Sequence, residues 1–168
     1  NNYQSVLEKR NHSKTSKRTR KLTNKRTNKI DNYLHKASKE IVSLAAKNNL
    51  NTIIIGKNDG WKQETNMAKS ANQTFVNIPH SRFIQMIQYK CEIEGINVIL
   101  QEESYTSKAS FLNLDFIPVY GVSDNHEFSG YRKSRGLYKI KDKSTLINAD
   151  VNGSYNIMRK AIPNLFED

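Results

Sequence analysis

The sequence predicts an α/β layer fold with parallel strands. Two observations carry that prediction: apolar residues recur at three- and four-residue steps in three separate stretches, and two short β-branched runs lie between them. A third observation, a block of positive charge at one end, points to a basic helix or tail ahead of the layers.

Residues 1–29 are rich in Lys, Arg, Thr, Ser and Asn, with Tyr3, Val6, Leu7 and Leu22 as the few apolar side chains. So little apolar area does not offset ordering entropy, so the stretch is expected to be either disordered or a basic helix in need of a partner. From Ile30 the pattern changes. Ile30, Tyr33, Leu34, Ala37, Ile41, Leu44 and Ala45 fall on one helical face, with Asn48 and Asn49 as a stop. Thr52–Ile55 then forms a β-branched run ending at Gly56, of the kind buried on both faces in a parallel sheet. Residues 57–76 are polar and aperiodic and are expected to loop, with Trp61 anchoring the loop to the core, the alternative being a ring that stacks on a base. Pro79 opens a second helix, Phe83, Ile84, Ile87 and Cys91 form its buried stripe, and Gly95 ends it. Ile96–Leu100 is a second buried strand. Residues 104–145 carry only short apolar patches and are expected to be irregular or β-rich. Val151, Tyr155, Met158 and Ile162 mark the buried stripe of a third helix, stopped by Pro163. Two strands are too few for a stable sheet, so further strands are expected from outside these residues.

The chain has 168 residues, 27 Lys+Arg against 16 Asp+Glu, and a formal net charge of +11. Residues 1–30 hold ten of the cations and one acid, which leaves a near-neutral remainder. A block of like charge seeks a polyanion, so nucleic acid (DNA or RNA) or an anionic membrane is the first partner class to test. No apolar run approaches the roughly 18 residues of a spanning helix, and no apolar segment near residue 1 resembles a secretory signal. One cysteine, Cys91, builds neither an internal disulfide nor a Cys-rich zinc site, and fits a reducing cytoplasm. The four histidines lie far apart, and His126 is given no role.

Three constellations could carry chemistry. Glu102 and Glu103 stand at the carboxyl end of the second strand, where sites in open α/β sheets gather. Adjacent strand residues point to opposite faces, so one of the two faces a given site; the plainer alternative is two solvated acids at a strand end. The second constellation is NADVNGSYNIMRK, 148–160. Asp150 either caps the third helix or offers a hard oxygen ligand to magnesium or manganese. Gly153 costs up to about 1 kcal/mol in a helix and signals close backbone approach. Asn152 and Asn156 lie four apart, on a polar face opposite the apolar stripe. The third is YRKSRGLYK, 131–139, in which Tyr131 and Tyr138 alternate with Arg132, Lys133, Arg135 and Lys139; cations pair with phosphates and rings stack on bases, though a solvated hairpin has the same composition. Tyr105, Thr106, Ser107 and Lys108 add donors beside the glutamates.

Four stretches in order, NKIDNYLHKASKEIV, TIIIGKNDGWKQE, QEESYTSKASF and INADVNGSYNIMRK, resemble the C-terminal half of the transposon-encoded OrfB/TnpB proteins, relatives of the type V CRISPR effector nucleases. The resemblance covers most of residues 9–163. It implies a partial RNase H-like (RuvC) fold at 30–103 and 146–163. It also implies a target-nucleic-acid-binding insert at 104–145 and a basic nucleic-acid-contacting segment at 1–29. In that family three acids hold two magnesium ions and cut DNA chosen by a guide RNA, in transposition-associated elements of prokaryotes. Asp150 matches the third-motif aspartate. Gly56 stands where the second-motif glutamate usually sits, and Glu103 matches the later position used by some relatives, with Glu102 in reserve. Lys17, Arg18, Arg20, Lys21, Lys25 and Arg26, with the cations and hydroxyls of the insert, are implied nucleic-acid contacts.

Two departures from the family matter. The first-motif aspartate has no counterpart here, so the chain is expected to be a C-terminal fragment and to cleave weakly or not at all alone. The zinc-ribbon cysteines of the insert are absent, so zinc is not expected, and Phe111, Leu112, Phe116, Ile117, Val119, Tyr120 and Phe128 are expected to hold the insert. The alternative function is a non-catalytic relative that binds nucleic acid through the basic segment and the insert.

Overall fold

A computed structural model describes residues 6, 16–58, 79–121, 126–141 and 144–166. The expected role of Trp61 lies outside them. They divide into two compact units, one built from residues 1–50 and 79–95, the other from 51–78 and 96–168.

In the first unit, helix α1 spans Lys17–Lys47 and helix α2 spans His80–Ile93. The start of α1 is set by local hydrogen bonds. Ser16 Oγ accepts from Thr19 N–H at 3.1 Å, and Thr19 Oγ1 accepts from Ser16 N–H at 2.6 Å, a reciprocal capping box. The helix therefore begins well inside the basic stretch and crosses residue 30 without a break. At its end, Asn49 adopts a left-handed φ of 54°, which confirms the Asn48–Asn49 stop. The buried face is Leu34, Ser38, Val42 and Ala45. This corrects the expected stripe: Tyr33, Ile41 and Leu44 are exposed, because the buried face that meets α2 is the one carrying Leu34, Ser38, Val42 and Ala45.

Ser38 is accommodated by donating to Leu34 O at 2.7 Å and by accepting from Lys90 Nζ. Lys90 also donates to His35 O at 2.8 Å, and Arg82 pairs with Asp31 at 2.9 Å. Both sets of contacts ascend together in sequence, so α1 and α2 run side by side in the same direction. In α2, Ile84, Met86, Ile87 and Cys91 are buried, and Gly95 takes φ +69° just past the helix end.

In the second unit, strands β1 (Thr52–Gly56) and β2 (Asn97–Gln101) pair in parallel, Thr52 opposite Asn97 and Gly56 opposite Gln101. The parallel pairing is as expected, but full burial on both faces is not. β1 is half-buried throughout and Leu100 of β2 is exposed. A series of turns at 104–121 follows. Next come β3 (Gly130–Ser134), β4 (Leu137–Ile140) and β5 (Leu146–Asn148), an antiparallel meander that runs directly into helix α3 (Ala149–Ala161). α3 packs on both β1 and β2.

Only part of the apolar set expected to hold the insert is inward: Phe111, Ile117 and Phe128 are half-buried. Leu112, Phe116, Val119 and Tyr120 are exposed. Its core is Ala109, Ser110, Pro118, Tyr138 and Ile140. The Tyr138 ring occupies the space a Cβ at Gly130 would need, and its hydroxyl donates to Lys108 O at 2.8 Å. Tyr138 is thus a buried brace and not a stacking surface. The reason is geometric: alternation along β4 turns Tyr138 and Ile140 to one face and the cations to the other.

Among the described residues, no helix is long and apolar enough to cross a membrane.

Candidate functional site

The largest reversal from the sequence lies on α3. Val151, Tyr155 and Ile162, expected in the core, are exposed, whereas Asn152 and Asn156 are fully buried. Both amides bind backbone of the turn region. Asn152 Nδ2 donates to Ala109 O at 2.8 Å, and its Oδ1 accepts from Phe111 N–H at 3.0 Å. Asn156 Nδ2 donates to Thr106 O at 2.9 Å and to Ala109 O at 2.8 Å. Arg159 bridges Asn156 Oδ1 and Asp115 O, each at 3.1 Å. Turns leave many carbonyls without ladder partners, and a polar helix face satisfies them where an apolar one could not.

That arrangement decides the two glutamates. Glu102 Oε2 forms an ion pair with Lys160 Nζ, and its Oε1 accepts from Ser104 N–H at 2.6 Å. The Lys160 side chain is only 8 % exposed and also donates to Ser104 O at 3.2 Å and Pro118 O at 3.1 Å. Burial acts to raise the Glu102 carboxyl, but the bonds from Lys160 and Ser104 outweigh it and hold its pKa below the usual carboxylate range. Glu102 is thereby committed to an internal ion pair.

Glu103 points the other way. Its carboxylate fills the space beside Gly56: a Cβ there would collide with Glu103 Oε2 and come within 2.8 Å of Ile157 Cδ1. Its own N–H donates to Asn58 Oδ1 at 3.1 Å, which fixes the turn just past β2. Burial, and then the negative charge of Glu102, push the Glu103 carboxyl above its ordinary value. A carboxylate placed where its charge is disfavoured is one that a cation would relieve. Gly56 was legible in the sequence only as a residue unable to bind metal; its use as room for Glu103 needed coordinates.

Asp150 does not cap α3. Asn148 does, accepting from Asp150 N–H at 2.8 Å and Val151 N–H at 3.1 Å. The Asp150 side chain is therefore left outward, 86 % exposed, with Arg132 at 3.8 Å as its cationic neighbour. Asp150 and Ile157 are seven residues apart, two turns on one flank of α3, or about 10 Å along the axis. The Glu103 carboxylate and Asp150 thus border the same flank. Gly153 meets nothing within 4 Å, so no close backbone approach explains it among the described residues. Nor do three or more His, Cys, Asp or Glu side chains among the described residues gather there as a ready metal cluster.

The proposed nucleic-acid contacts separate in the same way. Lys17, Arg18, Arg20, Lys21, Lys25 and Arg26 lie exposed on α1. Tyr131, Arg132, Lys133 and Arg135 are exposed on the β3–β4 hairpin, while Ser107 and Lys108 are exposed in the turns. Thr106 is the exception. It is buried, and its hydroxyl donates to Glu103 O at 2.8 Å, which makes it a brace of the turn.

Residues 80–157 match the family model described as Cas12f1-like, TNB domain. Over those residues the chain is similar to that family. It superposes on a chain of "Cryo-EM structure of the Cas12f1-sgRNA-target DNA complex" with a TM-score of 0.66 and 17 % sequence identity. The superposition covers 96 % of this chain and 40 % of that one. The likeness is one of fold, in keeping with a partial RuvC-like α/β arrangement. No curated protein matches in sequence.

Proposed function

We propose that this chain is the C-terminal part of an RNA-guided, metal-dependent DNA endonuclease, with Glu103 and Asp150 as carboxylate ligands of magnesium or manganese. One observation carries the reading. Glu103, at the carboxyl end of the parallel β1–β2 pair, is turned into the gap left by Gly56, beside Ile157 of α3 and about two helical turns from Asp150. The resemblance puts the family's usual second-motif carboxylate at Gly56, and the proximity of the Glu103 carboxylate to Gly56 supports Glu103 in that role.

The donor set fits such an ion: both ligands are hard oxygens, one is half-buried with its charge uncompensated by Lys160, and the other is open to solvent. When bound, divalent ions activate a water and stabilise the leaving oxygen of a phosphodiester. The chain's own residues prepare the site. Lys160 takes up the Glu102 charge, Asn58 and Thr106 fix the Glu103 turn, and Asn148 frees Asp150 from capping. The exposed cations of α1 and of the β3–β4 hairpin hold phosphates. Likeness to a protein solved with a guide RNA and target DNA supports RNA and DNA as partners.

Calorimetric titration of the purified chain with Mn²⁺ tests this. Wild type is expected to bind, with at least tenfold weaker binding in Glu103→Gln and in Asp150→Ala. Equal affinity in all three sinks the metal-site reading. The binding-only alternative draws on the Arg132–Asp150 contact, in which a protein cation already faces the aspartate. It prevails if wild type shows no divalent binding while still binding DNA.

A further inference from the structure

We propose that Tyr105, Phe116, His126 and Phe128 form a stacking platform for an unpaired base of a single DNA strand, two residues from Glu103. The proposal rests on the reading above that the chain acts on DNA.

Tyr105 has a φ of +64°, a left-handed conformation that is a genuine outlier for a bulky residue and costs about 1–2 kcal/mol. The turn is held in place by Ala109 N–H on Tyr105 O at 3.0 Å and Thr106 N–H on Glu103 O at 3.2 Å. It brings the Tyr105 ring to His126 at 6.4 Å, edge-on, and to Phe128 at 6.3 Å. His126 in turn meets Phe128 at 6.5 Å and Phe116 at 5.9 Å.

The three chain segments that carry these rings are tied together. Asp115 Oδ2 accepts from Ser110 N–H at 2.8 Å and from Ser129 N–H at 3.0 Å, which fixes the residues next to Phe116 and Phe128. Yet the cluster closes no core, since Phe116 is 75 % exposed. Backbone strain and a carboxylate clamp hold the four rings together with Phe116 turned to solvent and Tyr105, His126 and Phe128 half-buried behind it.

Charge selects the occupant. The Lys108 ammonium lies over the Tyr105 ring, 5.5 Å from its centroid, and the strand that follows Phe128 presents Arg132 and Lys133 to solvent. Rings for bases and cations for phosphates are what single-strand binding requires; an apolar protein partner has no use for the cations.

The test compares the full chain with two single-stranded oligodeoxynucleotides of equal length, one normal and one carrying a central run of abasic sites. Wild type is expected to bind the normal strand about tenfold more tightly, within the range of base stacking on aromatic side chains. Phe116→Ala, at an exposed position, is expected to lose that preference while retaining its melting temperature, and Phe116→Tyr to restore it. Equal binding of both strands by wild type, or an undiminished preference in Phe116→Ala, overturns the platform. Mn²⁺ titration of the same proteins keeps the two readings apart: a platform failure with intact Mn²⁺ binding leaves the nuclease reading standing.

Discussion

Glu103 and Gly56 show how a single missing Cβ can relocate a functional group. The space beside Gly56 is filled by a carboxylate delivered from β2, so any side chain at 56 must evict it. Gly56→Ala is expected to shift Glu103, to weaken Mn²⁺ binding in calorimetry, and to cost about 1–3 kcal/mol through overpacking. Tyr138 offers a second test at this scale. Burial first, and then the Asp115 charge, push its phenol up to about 12 from an ordinary 10.0. A raised pKa in the folded state means that the neutral phenol contributes stability below pH 10, and that this is lost as pH rises through 12. Tyr138→Phe is expected to lack that component. Alkaline unfolding curves of the two proteins should therefore separate between pH 10 and 12, with the variant the flatter.

Helix α3 shows that period and polarity are separate signals. The four-residue spacing of Asn152 and Asn156 and the stripe of Val151, Tyr155 and Ile162 are both present in the sequence, but which face turns inward is decided by what lies opposite. The turns at 104–118 present carbonyls, so the asparagine face is buried. Asn156→Ala takes the Asn156 donor from Thr106 O and one of two donors from Ala109 O, and is expected to cost about 2 kcal/mol, seen as a lower urea midpoint. Val151→Ser, on the exposed stripe, is expected to change stability by less than about 0.5 kcal/mol. The opposite order would return the apolar stripe to the core. The start of α1 carries a related lesson: a capping box at Ser16 and Thr19 starts a helix that composition alone left undecided. Its first turn has basic residues and no acid, an arrangement the helix dipole disfavours and a phosphate backbone would favour.

Over the whole molecule, charge is divided between a basic block and a near-neutral remainder. The net +11 comes almost entirely from the first thirty residues, and the described part of that block is an exposed helical surface. If Lys25 and Arg26 each neutralise a phosphate, Lys25→Ala/Arg26→Ala is expected to weaken single-strand binding across all sequences. It should also reduce the slope of log affinity against log salt by about 0.7 for each phosphate that is no longer neutralised. An unchanged slope places the strand elsewhere. The acids kept within this basic chain, Glu103 and Asp150, lie on the other unit, where a divalent ion between carboxylate and phosphate would make them compatible with DNA.

The sequence by itself determined the order of the helices from Ile30 on and of the two β-branched strands, the parallel pairing of those strands, the charge block and the family resemblance. Each of these depends on local composition, on spacing along the chain, or on motifs in order. Only the tertiary structure decided which glutamate is free, which face of α3 is core, what holds an insert without cysteines, and that four rings from separate segments meet. Those outcomes depend on partners distant in sequence, such as Lys160 for Glu102, Gly56 for Glu103, Thr106 and Ala109 for Asn156, and His126 for Tyr105 and Phe116. A one-dimensional pattern records that a polar or apolar group is present; what satisfies it is settled by the neighbours that folding supplies.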